Sequence, residues 1–248
     1  MGLYLANILD SSTVDYPGKL ASVIYLCICP YSCPFCHNPE LKDIKNCSLT
    51  EIDYIVDLLK DNFLIDAVCI TGGEPLAQEE TIELLRALKQ NTDFLLKIDH
   101  NLYFPDRLEL ALPFLDMIST DIKAPLDERY GKLTGRSDWE TVVKNVKKSL
   151  ELLKTWDKPK EGRTTVVPGM NDSEDDIREV ANIIKDYNYD ILTLQQFRND
   201  KTLDPKLMEL TPPSLEKMRS LGRVAKEILP DRTVKIVTAE SGFEEIKL

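Results

Sequence analysis

The sequence predicts an α/β fold in which a parallel sheet is covered by helices, and three observations carry that expectation. Short β-rich runs alternate with amphipathic helical stripes, turn and cap residues fall between them, and the residues best suited to chemistry gather just after the predicted strands. Strands are read at 20–28, 67–71, 94–98, 117–122, 163–167, 191–194 and 234–237. Between them run stripes at helical spacing: Ile52, Ile55, Val56 and Leu59; Ile82, Leu85 and Leu88; Val142, Val146, Leu150 and Leu153; Ile177, Val180, Ala181 and Ile184. A last helix carries Leu215, Met218, Ala225 and Ile228. Capping-box spacing is found at Ser48 with Glu51, Ser137 with Glu140 and Ser173 with Asp176, and Thr211-Pro212 places Pro at a first helical position. Such alternation implies right-handed βαβ units, forming either an open doubly wound sheet or a full or partial barrel. In either architecture, sites lie at strand C-terminal ends. The loops holding CPYSCPFCHNPE, TGGEP, DHN, DIKAP and VVPGMND all follow predicted strands.

At 248 residues the chain is long enough for one sizeable core, and no linker or repeat divides it, so residues 1–248 are read as a single domain. Forty-two acidic against thirty-one basic residues give a net charge of -11, which repels a phosphate backbone and argues against nucleic-acid or anionic-membrane binding. The longest apolar run, residues 20–29, falls short of the ~20 residues a spanning helix needs. With no basic start or cleavage site at the N-terminus, a cytoplasmic location is expected.

In such a compartment six cysteines do not suggest a disulfide framework. Cys29, Cys33 and Cys36 form C-x3-C-x2-C after the first strong strand, with Pro30 and Pro34 stiffening the loop. Three close thiolates suit a soft metal. A structural zinc site is one reading, but it wants four ligands, and Cys27, Cys47 and Cys69 supply no second C-x2-C pair. A [4Fe-4S] cluster held by three cysteines is the other, and leaves one iron open to substrate or cofactor. On either reading, Cys27, Cys47 and Cys69 are expected to be buried small hydrophobes.

The sequence resembles the radical S-adenosylmethionine superfamily, whose C-x3-C-x-aromatic-C signature is matched by Cys29, Cys33, Phe35 and Cys36, with a GGE motif following at Gly72-Gly73-Glu74. VDYPGKLASVIYLCICPYSCPFCHNPEL, TGGEPLAQ, DIKAPLDERYGKLTGR, TTVVPGMNDSEDD and LQQFR narrow the resemblance to anaerobic ribonucleoside-triphosphate reductase activating proteins, relatives of pyruvate formate-lyase activating enzyme. The resemblance implies a partial (β/α)6 TIM-like barrel and a cluster held by Cys29, Cys33 and Cys36. It implies S-adenosylmethionine bound through Phe35, Gly72, Gly73, Glu74, Asp99, Asp121 and Lys123, Lys123 pairing with the methionine carboxylate. It also implies a monovalent cation near Asp99 and Asp121. The implied activity is installation of a glycyl radical on a partner enzyme, with a flavodoxin or ferredoxin as electron donor. Close approach of Gly72 and Gly73 to the methionine end would follow from their lack of Cβ. Three departures stand out: Ile28 lies where the family usually has Gly, Cys27 where it commonly has Gln, and DHNL replaces DTNG. Two other functions share features with this reading, a radical enzyme acting on a small molecule or modified nucleobase and a zinc-binding interaction module. The size of the chain favours the activase, which must admit a partner's glycine loop.

Overall fold

The computed structural model describes residues 1–247, which separate into two compact units, one of residues 1–30 and 38–119 and the other of residues 31–37 and 120–247.

In the first unit the strands are β1 (Gly2–Ser12), β2 (Ala21–Leu26), β3 (Ser48–Glu51), β4 (Ala67–Gly72) and β5 (Leu95–His100), ordered β3-β1-β2-β4-β5. β2, β4 and β5 are parallel, in the register Val23 to Cys69 to Lys97, whereas β1 runs antiparallel to both β2 and β3. Helices α1 (Ile52–Lys60), α2 (Thr81–Asn91) and α3 (Pro105–Ala111) belong to this unit, and the first two bury the stripes read from the sequence. The chain then enters β6 (Met117–Asp121) and passes along it into the second unit.

There α4 (Glu128–Thr134) and α5 (Trp139–Lys154) precede the parallel strands β7 (Lys160–Val166), β8 (Ile191–Gln196) and β9 (Thr233–Thr238). Helix α6 (Glu174–Asp186) joins β7 to β8, and α7 (Leu215–Ile228) joins β8 to β9. An antiparallel edge strand, β10 (Gly242–Glu245), ends the unit. The alternating burial of β7 marks one face turned to the α6 side and one lined by Glu161, Arg163 and Thr165.

All seven expected strands are found, and β1, β3 and β10 are added to them. β1 hides its period behind two register shifts, between Leu5 and Asn7 and between Leu9 and Ser12. Ser48 and Glu51 do not form a capping box: they begin and end β3, and Glu51 instead accepts a hydrogen bond from the Met1 amino group at 2.8 Å. Ser137 caps nothing either, since Asp138 is the residue before α5 and its carboxylate is held by Arg136. The Ser173–Asp176 box is present in full. Helix α7 starts after Ser214, whose hydroxyl accepts from Lys217 N at 3.2 Å, rather than at Pro212.

Cysteine usage also departs from expectation. Cys27, fully buried, and the half-buried Cys47 are joined as a disulfide with Cα atoms 6.5 Å apart, inside the range a bridge needs. This ties the end of β2 to the residue preceding β3.

Ile28 follows with φ +72°, a left-handed conformation that a β-branched residue reaches only at a cost of roughly 1–2 kcal/mol. Glycine is the residue that would sit there unstrained. Ile28→Gly is therefore expected to change urea-denaturation stability by no more than about 1 kcal/mol, relief of strain offsetting lost burial. Ile24→Gly, in the extended and fully buried part of β2, should lose about 3–5 kcal/mol. Equal losses at the two positions would show that Ile28 carries no strain.

Candidate active site

The exit of β2 in the first unit is fixed by backbone hydrogen bonds from the loop after β4. Gly73 N donates to Leu26 O and Glu74 N to Ile28 O, each at 2.8 Å, while Ile28 N donates to Leu41 O at 2.8 Å. Two glycines make this approach possible. A Cβ on Gly72 would lie 2.1 Å from Leu26 O, and one on Gly73 would lie 2.5 Å from Ile28 O. The chain's own backbone thus fills the space that these glycines leave. This gives the glycine pair a structural reason beside the close approach to a ligand that the family resemblance implies.

Glu74 is 1% exposed and works as a brace. Its carboxylate accepts from Leu76 N at 3.0 Å and from Asn101 N at 2.7 Å, joining the loop after β4 to the loop after β5. Asn101 in turn places its side-chain Nδ2 3.8 Å from Cys29 Sγ, while its Oδ1 accepts from Tyr103 N. Leu102, standing in the DHNL segment where the family has Gly, has φ +67°. Both family glycines replaced in this chain thus fall on left-handed backbone, Ile28 next to Cys29 and Leu102 next to Asn101. Asn101 escaped the sequence reading because an Asn after a strand reads as a turn residue; its DHN setting was the only signal. Asp99, near the end of β5, is buried and ion-paired with Lys97.

In the second unit, Cys33 and Cys36 share a turn, with Cys36 N donating to Cys33 O at 3.0 Å. The loop is held by Ser32 N donating to Thr134 O at the end of α4, and by Asp204 N donating to Pro34 O. Cys33 is buried, and that burial pushes its thiol up to about 11, with the Lys123 ammonium acting in the opposite direction. Phe35 is buried too, its ring centroid 5.7 Å from Lys123 Nζ. Lys123 donates to Asp121 Oδ2 at 3.1 Å, and Arg163 donates to Asp121 Oδ1 at 3.3 Å. Burial works to lower the pKa of Lys123, but the Asp121 carboxylate outweighs it and holds the ammonium charged. Asp121 thus accepts from both an ammonium and a guanidinium, a basic pair of the kind that receives an anionic ligand. Arg163 was not singled out in the sequence, where it reads only as the polar start of a strand.

The loop VVPGMND is arranged around Asn171, which is 1% exposed. Its Oδ1 accepts from Val167 N at 2.7 Å, and its Nδ2 donates to Lys123 O at 2.8 Å and Thr165 O at 2.9 Å. Asn171 therefore holds the backbone of Lys123 rather than offering its own amide to a ligand. Tyr130 adds a second brace, its hydroxyl donating to Asp121 O at 3.2 Å.

Cys29, Cys33, Cys36 and Cys69 take part in no disulfide. Among the described residues no three Cys, His, Asp or Glu side chains are grouped to hold a single metal ion. A zinc ion needs its ligands about 2.0–2.3 Å from one point, whereas a cubane spreads its thiolates over separate irons. Three thiols outside any disulfide are a donor set that fits the cluster.

Comparison with known proteins agrees. The family model described as the radical SAM superfamily matches residues 23–193. The chain belongs to the radical SAM superfamily. A Methanocaldococcus jannaschii protein assigned by name to the glycyl-radical enzyme activating enzymes is 32% identical over 242 residues, covering 96% of this chain and 98% of that protein. Pyruvate formate-lyase-activating enzyme from Clostridium pasteurianum is 29% identical over 236 residues, covering 87% and 94%. In fold, Streptococcus suis SuiB bound to its precursor peptide SuiA matches with TM-score 0.65 at 18% identity, over 87% of this chain and 48% of that one. A radical SAM methyltransferase from Sphaerobacter thermophilus matches with TM-score 0.66 at 11% identity, over 90% and 68%. The fold is thus the α/β partial barrel of radical SAM enzymes, with a mainly parallel sheet that does not close. This radical SAM chain falls in the glycyl-radical activating group and brings that family's [4Fe-4S] cluster and S-adenosylmethionine with it. No helix among the described residues is long and apolar enough to cross a membrane.

Gly73→Ala should be poorly tolerated, because its Cβ meets the backbone of Ile28 rather than a side chain that can swing away. A loss of about 1–3 kcal/mol in urea denaturation is expected, together with lower iron content after anaerobic reconstitution. Wild-type stability and iron would show that the loop after β4 is free to shift.

Proposed function

We propose that this radical SAM protein activates an anaerobic ribonucleoside-triphosphate reductase by installing a glycyl radical on it. The observation that carries this reading is the similarity to a glycyl-radical enzyme activating enzyme along 96% of the chain. Cys29, Cys33 and Cys36 hold the cluster, with the Asn101 amide set to donate to the Cys29 sulfur. Lys123 and Arg163, charged and braced by Asp121, receive the carboxylate of S-adenosylmethionine. Phe35 packs over Lys123 and shields it from water on that side. Gly72, Gly73 and Glu74 act by setting the course of the loop beside Cys29, and Asp99 completes the cofactor pocket. When bound, the cluster and S-adenosylmethionine supply the chemistry: one electron cleaves the sulfonium to methionine and a 5′-deoxyadenosyl radical, which removes the α-hydrogen of a glycine. The low-potential electron comes from a flavodoxin or ferredoxin. Residues 1–248 serve as one catalytic domain for this work.

The ligand assignment makes a sharp contrast among the cysteines. Cys29→Ala, Cys33→Ala or Cys36→Ala should each abolish cluster absorbance and S-adenosylmethionine cleavage, whereas Cys47→Ala should retain both. A Cys47 variant without a cluster beside a Cys33 variant that keeps one would overturn the assignment.

Partner identity is tested by electron paramagnetic resonance. The reduced protein with S-adenosylmethionine alone should form 5′-deoxyadenosine slowly, and the reductase should accelerate it. A doublet, split by the remaining α-hydrogen, should appear on the reductase and vanish when its radical-bearing glycine is changed to Ala. If no glycyl-radical enzyme of the same cell gives this signal while a small metabolite stimulates deoxyadenosine formation stoichiometrically, the protein is a small-molecule enzyme.

A further inference from the structure

Asn101 is the first residue after β5 and is 4% exposed. Its backbone N–H donates to Glu74 Oε2 at 2.7 Å, its Oδ1 accepts from Tyr103 N at 3.1 Å, and its Nδ2 donates to Cys29 Sγ at 3.8 Å. The second of these bonds settles which end of the amide faces the sulfur. A backbone N–H can only donate, so the atom opposite Tyr103 N must be the oxygen, and the NH2 group is then the end turned to Cys29. The turn that presents it is fixed as well. Leu102, between Asn101 and Tyr103, is fully buried at φ +67°, and the Glu74 that holds the Asn101 backbone is 1% exposed.

A dipole aimed in this way matters more to a cluster ligand than to an ordinary thiol. Reduction of a [4Fe-4S] cluster adds one electron, and part of that negative charge falls on the ligand sulfurs. An N–H pointed at one of them favours the reduced state over the oxidised one, and hydrogen bonds to sulfur are among the terms that set cluster potentials. Burial strengthens the effect, because a hydrogen bond acts more strongly at low local dielectric than in water. Fixed orientation adds to it, since the amide has no need to turn when the electron arrives. Only a fraction of the added electron rests on any one sulfur, so a single amide exerts a modest effect.

We propose that Asn101 tunes the electron-accepting step: its side-chain amide, held in place through Glu74 and Tyr103, makes the cluster at Cys29 easier to reduce. Asn101 is a positioning residue that acts through the Cys29 sulfur. The inference rests on the assignment of Cys29 as a cluster ligand, and it is independent of which partner receives the radical.

The test measures the cluster's reduction equilibrium in the anaerobically reconstituted full chain by spectroelectrochemistry, with neither S-adenosylmethionine nor a partner enzyme present. Asn101→Ser is the informative variant: its hydroxyl can still accept from Tyr103 N and hold the turn, but it is too short to reach the sulfur. It should take up iron and sulfide as wild type does, while its reduction equilibrium shifts about three- to tenfold toward the oxidised state, a midpoint about 30–60 mV more negative for one electron. A second measurement looks at the contact itself. With asparagine labelled with nitrogen-15 at the side-chain amide, electron–nuclear double resonance of the reduced cluster should show coupling to that nitrogen in wild type and lose it in Asn101→Ser. A loaded Asn101→Ser protein whose equilibrium stays within about 1.5-fold of wild type, or moves toward the reduced state, overturns the proposal alone. Absence of the coupling in wild type also overturns it, and that result stands even if the variant fails to fold. A Cys29→Ala protein that keeps its cluster overturns the ligand assignment and this proposal with it.

Discussion

Everything in the first unit that bears on Cys29 depends on how closely two backbone segments approach each other. The loop after β4 lies against the exit of β2 with no side chain between them, and two backbone hydrogen bonds close the gap. From that contact Glu74 reaches to the loop after β5, and Asn101 at the start of that loop reaches back to Cys29. The sulfur is thereby surrounded by groups whose positions are set by main chain rather than by flexible side chains. Radical chemistry needs such placement, since a reactive carbon must meet one hydrogen and no other.

Electrostatics organises the rest of the candidate site. Two acids of the candidate site meet basic side chains: the buried Asp99 pairs with Lys97, and the half-buried Asp121 with Lys123 and Arg163. Pairing of this kind adds little to stability, because desolvation cancels most of the attraction, but removing one member leaves an uncompensated charge. The arrangement therefore reads as a device for fixing charge positions inside a polar interior. It operates in a chain of net charge -11, whose overall field would otherwise repel an anionic cofactor end.

Much of this was legible in the sequence where the signal was local. The seven strands expected from the sequence announce themselves because they are short β-rich runs bounded by turn or cap residues, and the C-x3-C-x2-C and GGE motifs are contiguous. What escaped depends on pairing between distant segments. β3 was hidden because Ser48 and Glu51 mimic a helix cap, and only β1 across from them decides that they are extended. Arg163 and Asn101 carry no motif of their own; their importance arises when the fold sets one beside the Asp121 carboxylate and the other beside the Cys29 sulfur. The glycine pair was found through its motif, which does not tell that the backbone of Leu26 and Ile28 lies against it. Ile28 and Leu102 were visible as departures from the family, yet their meaning is conformational and appears only in φ.

The bridge between Cys27 and Cys47 has a practical side. Cys27 is two residues from Cys29, so when the cluster is absent a thiol sits beside a disulfide along the same stretch of chain. Thiolates exchange with disulfides wherever they can reach the sulfur in line. Protein handled in air and stripped of iron would thus be open to reshuffling, with Cys29 displacing Cys47 as the partner of Cys27 once local structure loosens. Alkylation followed by peptide mapping would distinguish the two linkages, and only a fully reduced sample offers all three motif thiols to incoming iron.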